Sequence, residues 1–105
     1  MPKFALIYRN ATPPGTPEDG QKHMAAWQEW SSGLGEALIE PGMPFSKAVV
    51  VSQNGTSSQI ENAKYDGVSI VETESIEQAA EMAARCPHLY LGGDMVVAEG
   101  LEMEM

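Results

Sequence analysis

At 105 residues the chain is long enough for one domain with one small core, and its 43% hydrophobic content excludes a disordered segment. With 15 Asp and Glu against 6 Lys and Arg, the formal charge is −9. That balance excludes nucleic acid and anionic membranes as partners, because a phosphate surface would repel it, and reads instead as solubility and resistance to non-specific association.

The single cysteine, Cys86, closes no internal disulfide and fits a reducing cytoplasm. The opening MPKFALIYRN carries only a short apolar run, then Arg9, with no small-residue cleavage site. It reads as a strand and not as a signal peptide. No apolar run approaches the roughly 20 residues of a membrane span.

The segment Lys3 to Arg9 is the first expected strand, ended by the Pro- and Gly-rich NATPPGTPEDG. Thr16 as N-cap, Pro17 at the first helical position and Glu18 and Asp19 in the first turn then start a helix. Met24, Trp27, Trp30, Leu34, Ala37 and Leu38 recur at three and four, which extends it to about Ile39, where Glu40, Pro41 and Gly42 stop it. Gly33 and Gly35 weaken this helix and suit a close packing contact. Ser46 to Gln53, centred on Val49, Val50 and Val51, is the second expected strand. NGTSSQIENAK follows as a polar connection whose Asn54-Gly55 signals a turn. Gly67 to Glu74 is the third strand. Ser75, with Gln78 completing a capping box, opens a second helix. Its face of Ile76, Ala79, Ala80 and Ala83 is small enough to sit close to a sheet. Pro87 ends it, and Asp94 to Met103 is the fourth strand.

The order βαββαβ with right-handed crossovers predicts one ferredoxin-like α+β domain over residues 1–105, a four-stranded antiparallel sheet with both helices on one face. The strands do not alternate cleanly. Phe4, Leu6 and Tyr8 oppose Ala5 and Ile7, and alternation places Val50 and Ile70 on opposite faces. A sheet apolar on both faces expects cover on both, and a second copy of the chain is the economical source. The expectation is a homodimer packed sheet to sheet.

Three segments, KHMAAWQEWSSGLGEALIEPGMPF, GVSIVETESIEQAAEMAARCPHL and GGDMVVAEGLEM, resemble the YCII-related family, which overlaps the DGPF-domain proteins. The resemblance covers nearly the whole chain. It is most specific in SIVETESIEQAAEMAARCPHL, a strand, a capped helix and the proline after its end. It implies a small bacterial protein of the dimeric α/β barrel type, with a histidine early in the first helix serving a pocket; His23 matches that position. Many relatives carry Asp-Pro-Tyr after the second helix, the Asp pairing with the helix-1 histidine. This chain has Cys86-Pro87-His88 there, and YDGVSI where the DGPF motif would stand.

His23 shares a helical stripe with Trp27, Trp30 and Leu34 and so faces the sheet. Near a helix N-terminus its neutral form is favoured, and neutral imidazole can accept a proton. The ferredoxin-like topology brings the start of the first helix, the end of the second, the beginning of the last strand and the connection before the third strand to one end of the sheet. His23, His88, Asp94 and Asp66 are therefore expected at one rim, with Trp27 beside them. The plainer alternatives are an edge-of-core histidine for His23, a helix-end or loop residue for His88, and core packing for Trp27 and Trp30. Cys86 sits at a helix C-terminus without activating cations and reads as an apolar filler. No cofactor motif and no metal-ligand spacing is present, so neither is expected. Two functions fit: a small-molecule pocket protein with proton-transfer or lyase-type chemistry at His23, or a non-catalytic binding module. An enzyme should hold a second titratable group within hydrogen-bond reach of His23. A binding module should hold a backbone carbonyl or a hydroxyl there.

Overall fold

The computed structural model describes residues 1–58 and 64–101. Strand β1 (Lys3–Arg9) forms where the apolar run predicts it. Helix α1 (Pro17–Leu34) opens as expected, with the Thr16 hydroxyl accepting the Asp19 N–H at 3.0 Å and Pro17 in the first turn. It closes five residues earlier than the apolar spacing predicts. Gly35 adopts φ +57°, which breaks the helix, and one 3-10 turn (Gly35–Ala37) leads straight into strand β2 (Leu38–Pro44). The apolar residues Leu38 and Ile39 that seemed to prolong the helix belong to that strand. Neither Gly33 nor Gly35 has another part of the chain within 4 Å of where a Cβ would stand, so no close packing explains them.

The second expected strand is likewise displaced. Of Ser46 to Gln53, only Val50–Ser52 is strand, β3, and it pairs with β4 (Gly55–Ser57) in a hairpin separate from the main sheet. Val50 therefore lies on neither face of that sheet. The turn signal at Asn54-Gly55 marks the hairpin bend, and residues 59–63 of the expected connection lie outside the described residues. Strand β2 takes the vacant place as an edge strand. A proline-bearing segment is tolerated there because an edge leaves one row of N–H groups unpaired in any case, and its register shifts twice against β5.

Strand β5 (Tyr65–Glu72), helix α2 (Ile76–Ala84) and strand β6 (Asp94–Glu99) complete the βαββαβ order. β5 starts and stops two residues before the expected bounds. β6 ends at Glu99, and of its expected tail residues 102 and 103 lie outside the described residues. Ser75 caps α2 by accepting the Gln78 N–H, but the Gln78 carbonyl reaches past the expected box to the Glu74 N–H and the Thr73 hydroxyl. The sheet order β2-β5-β1-β6, antiparallel throughout, is the ferredoxin-like arrangement.

Alternation along β1 and β5 sends Phe4, Leu6, Tyr8, Ser69 and Val71 inward, where Ala79, Ala83 and Cys86 close the core. Ala79 and Ala83 are the buried half of the expected α2 face; Ile76 and Ala80 are exposed. Trp27, Trp30, Leu34, Leu38, Met82, Met95 and Val97 pack around that core. The opposite parity, Ala5, Ile7, Val68, Ile70 and Val96, is half-buried, on the face away from both helices. No helix among the described residues is long and apolar enough to cross a membrane.

Candidate functional site

A cavity of about 530 Å³ opens between α1 and the β2-β5-β1 end of the sheet, within the size range of small-ligand sites. Its walls are mostly apolar. Tyr8, Trp27 and Trp30 form an aromatic series, edge to face at centroid distances of 5.2 and 5.3 Å. The β2 segment from Pro41 to Pro44 forms the opposite wall.

Of the side chains expected at one rim, His23, Trp27, His88 and Asp66 line this cavity. Asp94 does not. Its carboxylate accepts from Arg9 Nε and Nη2, each at 3.0 Å, on the protein surface, and that guanidinium holds it below the usual carboxylate range.

His23 has a partner of neither expected kind. The Trp27 indole N–H, one helical turn on, donates to His23 Nε2 at 2.7 Å. An indole nitrogen can only donate, so Nε2 is the acceptor and the proton of the neutral ring sits on Nδ1. In this arrangement His23 offers an N–H, and its lone pair becomes a base only if the ring leaves Trp27. Burial, and secondarily His88, lower its pKa below 6.5; the helix N-terminus invoked from sequence is not the main cause. The unfolded chain then binds this proton more tightly than the folded one. The group's contribution to stability is complete above about pH 6.5 and is lost as pH falls through the lowered folded value. An NMR titration of the ring should give a midpoint below 6.5, and Trp27→Phe should move it upward, because the indole bond favours the neutral form.

His88 is buried, not at the rim. Its Nε2–H donates to the Arg9 carbonyl at 2.8 Å, since a carbonyl can only accept, and its ring packs on Tyr8 at 5.3 Å. The nearest Asp66 oxygen is 3.8 Å from Nε2, too far for a hydrogen bond. That carboxylate instead accepts the Ala11 N–H at 2.9 Å and lies 3.3 Å from Lys64 Nζ. The pocket carboxylate thus comes from the start of β5.

Tyr8 and Ser69 were not singled out from the sequence. The Tyr8 hydroxyl donates to Ser69 Oγ at 2.8 Å, and Ser69 donates to the Pro41 carbonyl at 2.6 Å. Burial pushes the phenol up to about 12, so it remains a donor. A signal existed: Ser69 is the polar residue at an inward position of an apolar strand, and buried hydroxyls need partners.

Cys86 has no exposure, and burial pushes its thiol up to about 12. Its alkylation by iodoacetamide at neutral pH should be far slower than that of a free thiol and should accelerate only as urea unfolds the chain. Among the described residues no cluster of three metal-ligating side chains occurs.

No protein-family model matches the chain, and neither does any protein with a curated description. Among solved structures, 5-chloro-2-hydroxyhydroquinone dehydrochlorinase from Burkholderia phenoliruptrix, determined in complex with 2,5-dihydroxybenzoquinone, is similar with a TM-score of 0.53. The match covers 90% of this chain and 89% of that one, at 21% identity. The two chains share a fold.

Proposed function

We propose that residues 1–105 form one YCII-related domain of a homodimer packed sheet to sheet, and that its cavity binds a small planar aromatic molecule bearing hydroxyl or carbonyl groups. The observation that carries this reading is the cavity itself: an aromatic wall of Tyr8, Trp27 and Trp30 with His23, Ser69 and Asp66 set into it. Among the described residues no Lys or Arg lines the cavity, and Lys64 beside it is engaged by Asp66, which disfavours carboxylate ligands. The dehydrochlorinase of like fold, with a hydroxylated quinone bound, supports the same ligand class and a proton-transfer or lyase-type reaction. His23 would move the proton once a ligand hydroxyl displaced Trp27 from its Nε2. The lone buried cysteine supports a cytoplasmic setting.

A second reading, a non-catalytic binding module, is favoured by one specific feature: the His23 lone pair is already held by the Trp27 N–H. Calorimetry with 2,5-dihydroxybenzoquinone and hydroquinone as probes tests the pocket. Binding should appear, and His23→Ala should weaken it by about fivefold, the worth of one hydrogen bond near 1 kcal/mol. No binding by either probe would reject the ligand class. Loss of absorbance of a halogenated hydroquinone, dependent on His23, separates enzyme from binding module.

A further inference from the structure

The hydrogen bonds around the cavity have directions, and the directions decide which groups a ligand can bring. On the sheet side the Tyr8 hydroxyl bonds Ser69 Oγ at 2.8 Å, and Ser69 Oγ bonds the Pro41 carbonyl at 2.6 Å. All three residues line the cavity, and Tyr8 and Ser69 are only 5 and 3% exposed. A carbonyl can only accept, so the Ser69 proton goes to Pro41, and the proton of the other bond must come from Tyr8. Reversing either bond leaves a buried polar atom without its partner. Burial raises the phenol to about 12, so Tyr8 keeps its proton at neutral pH and the order stands.

The ring nitrogens are committed in the same way. The Trp27 N–H goes to His23 Nε2, the Trp30 N–H to the Met82 carbonyl, and the His88 Nε2–H to the Arg9 carbonyl. Among the described residues, the cavity's side-chain donors still open are the His23 Nδ1–H and the Ser31 hydroxyl, both on α1. The side chains of the sheet wall have acceptors left and no donors. A hydroxyl oxygen takes two hydrogen bonds, and Ser69 Oγ has received one, from Tyr8. The Asp66 carboxylate, also on β5, can only accept. A group that meets this wall must therefore bring its own proton.

We infer that Ser69 is a specificity-determining residue of the cavity: its open lone pair accepts a ligand hydroxyl, so the site selects the hydroquinone form of an aromatic ring over the quinone form. A quinone carbonyl in the same place would set lone pair against lone pair and gain no bond. The Tyr8 and Pro41 bonds hold Ser69 in this role from either side. At the opposite wall the His23 Nδ1–H offers a donor to a second ligand oxygen. This selectivity rests on the pocket reading and narrows it, from rings with hydroxyl or carbonyl groups to rings that present an O–H to β5.

Calorimetry near neutral pH with hydroquinone and 1,4-benzoquinone decides it, since the two share one ring and differ in their hydroxyl protons. Cys86, the chain's one thiol, is buried and out of the quinone's reach. The wild type should bind hydroquinone about tenfold more tightly, the worth of a good hydrogen bond. In Ser69→Ala the Tyr8 hydroxyl loses its acceptor and becomes a free donor, so the preference should reverse toward benzoquinone in protein that circular dichroism shows to be folded. Tyr8→Phe keeps Ser69 and its bond to Pro41, so hydroquinone should remain the tighter ligand; this variant decides the matter if Ser69→Ala does not fold. A wild type that binds benzoquinone as tightly as hydroquinone overturns the role of Ser69 and leaves the pocket reading standing. So does a folded Ser69→Ala that keeps the wild-type preference, or a folded Tyr8→Phe that loses it. Binding of neither probe overturns both together.

Discussion

Gly42→Ala should be among the most damaging substitutions in the chain. Gly42 sits at φ +77°, where an L side chain is strained, and its Cβ would point onto the Val68 carbonyl and within 3.2 Å of Ser69 Cα. These are backbone atoms of the neighbouring strand, so no rotamer change relieves the clash. The left-handed backbone alone costs about 1–2 kcal/mol. With β2 forced off β5 the total should exceed about 3 kcal/mol, read as a fall in the urea midpoint. Detaching β2 also removes the wall from Pro41 to Pro44 and leaves Ser69 without the carbonyl it donates to. Probe binding should therefore fail even at low temperature, where the variant remains folded. Gly33→Ala is the contrast. It lies inside α1 with open space around it and should stabilise by about 0.5–1 kcal/mol through helix propensity. A Gly42→Ala protein within about 1 kcal/mol of wild type would mean that β2 is not anchored as described.

The same residue shows what the sequence concealed. β2 reads as a helix tail and a stop signal, because Leu38 continues the spacing of Trp27, Trp30 and Leu34 while Pro41 and Gly42 resemble a terminator. What decides the matter is tertiary: β5 offers a free edge, and a bulged, proline-bearing strand can occupy an edge but not a centre. The valine triplet attracted the strand assignment through real β propensity, but propensity does not say which sheet a strand joins. β1, α1's start, β5 and α2 were legible because each carried its own apolar run or cap. The topology then followed from connection rules. For the site, the topology sufficed to bring His23, Trp27, His88 and Asp66 together. It could not reveal side-chain geometry, so the Trp27–His23 bond, the Tyr8–Ser69–Pro41 relay and the capture of Asp94 by Arg9 appear only in three dimensions. Trp27 at the i+4 position from His23 was in plain view, and i,i+4 pairs on a helix meet.

His88→Ala should cost about 2–4 kcal/mol, and the reason separates structure from chemistry at this position. The ring is 4% exposed. Removing it leaves a cavity beside Tyr8, a transfer-plus-void loss of the kind that costs a few kcal/mol for a buried side chain. It also strands the Arg9 carbonyl, which now accepts Nε2–H at 2.8 Å in a part-buried setting, adding up to about 1–3 kcal/mol for an unpaired acceptor, less where water enters. His88→Gln keeps an N–H donor of similar reach without a titratable group. If His88 serves to hold the end of β1 against the turn after α2, glutamine should recover about half of the lost stability, and quinone-probe binding should track the folded fraction. If His88 instead exchanges protons with a ligand, His88→Gln should fold nearly as well as wild type yet lose turnover. Urea unfolding and probe calorimetry on the two variants discriminate, and the geometry favours the first: Nε2 is committed to a backbone carbonyl, and Asp66, at 3.8 Å, is held by the Ala11 N–H and Lys64. The proposed proton chemistry is therefore assigned to His23, the histidine whose hydrogen bond is to a side chain and can be exchanged without unmaking the fold.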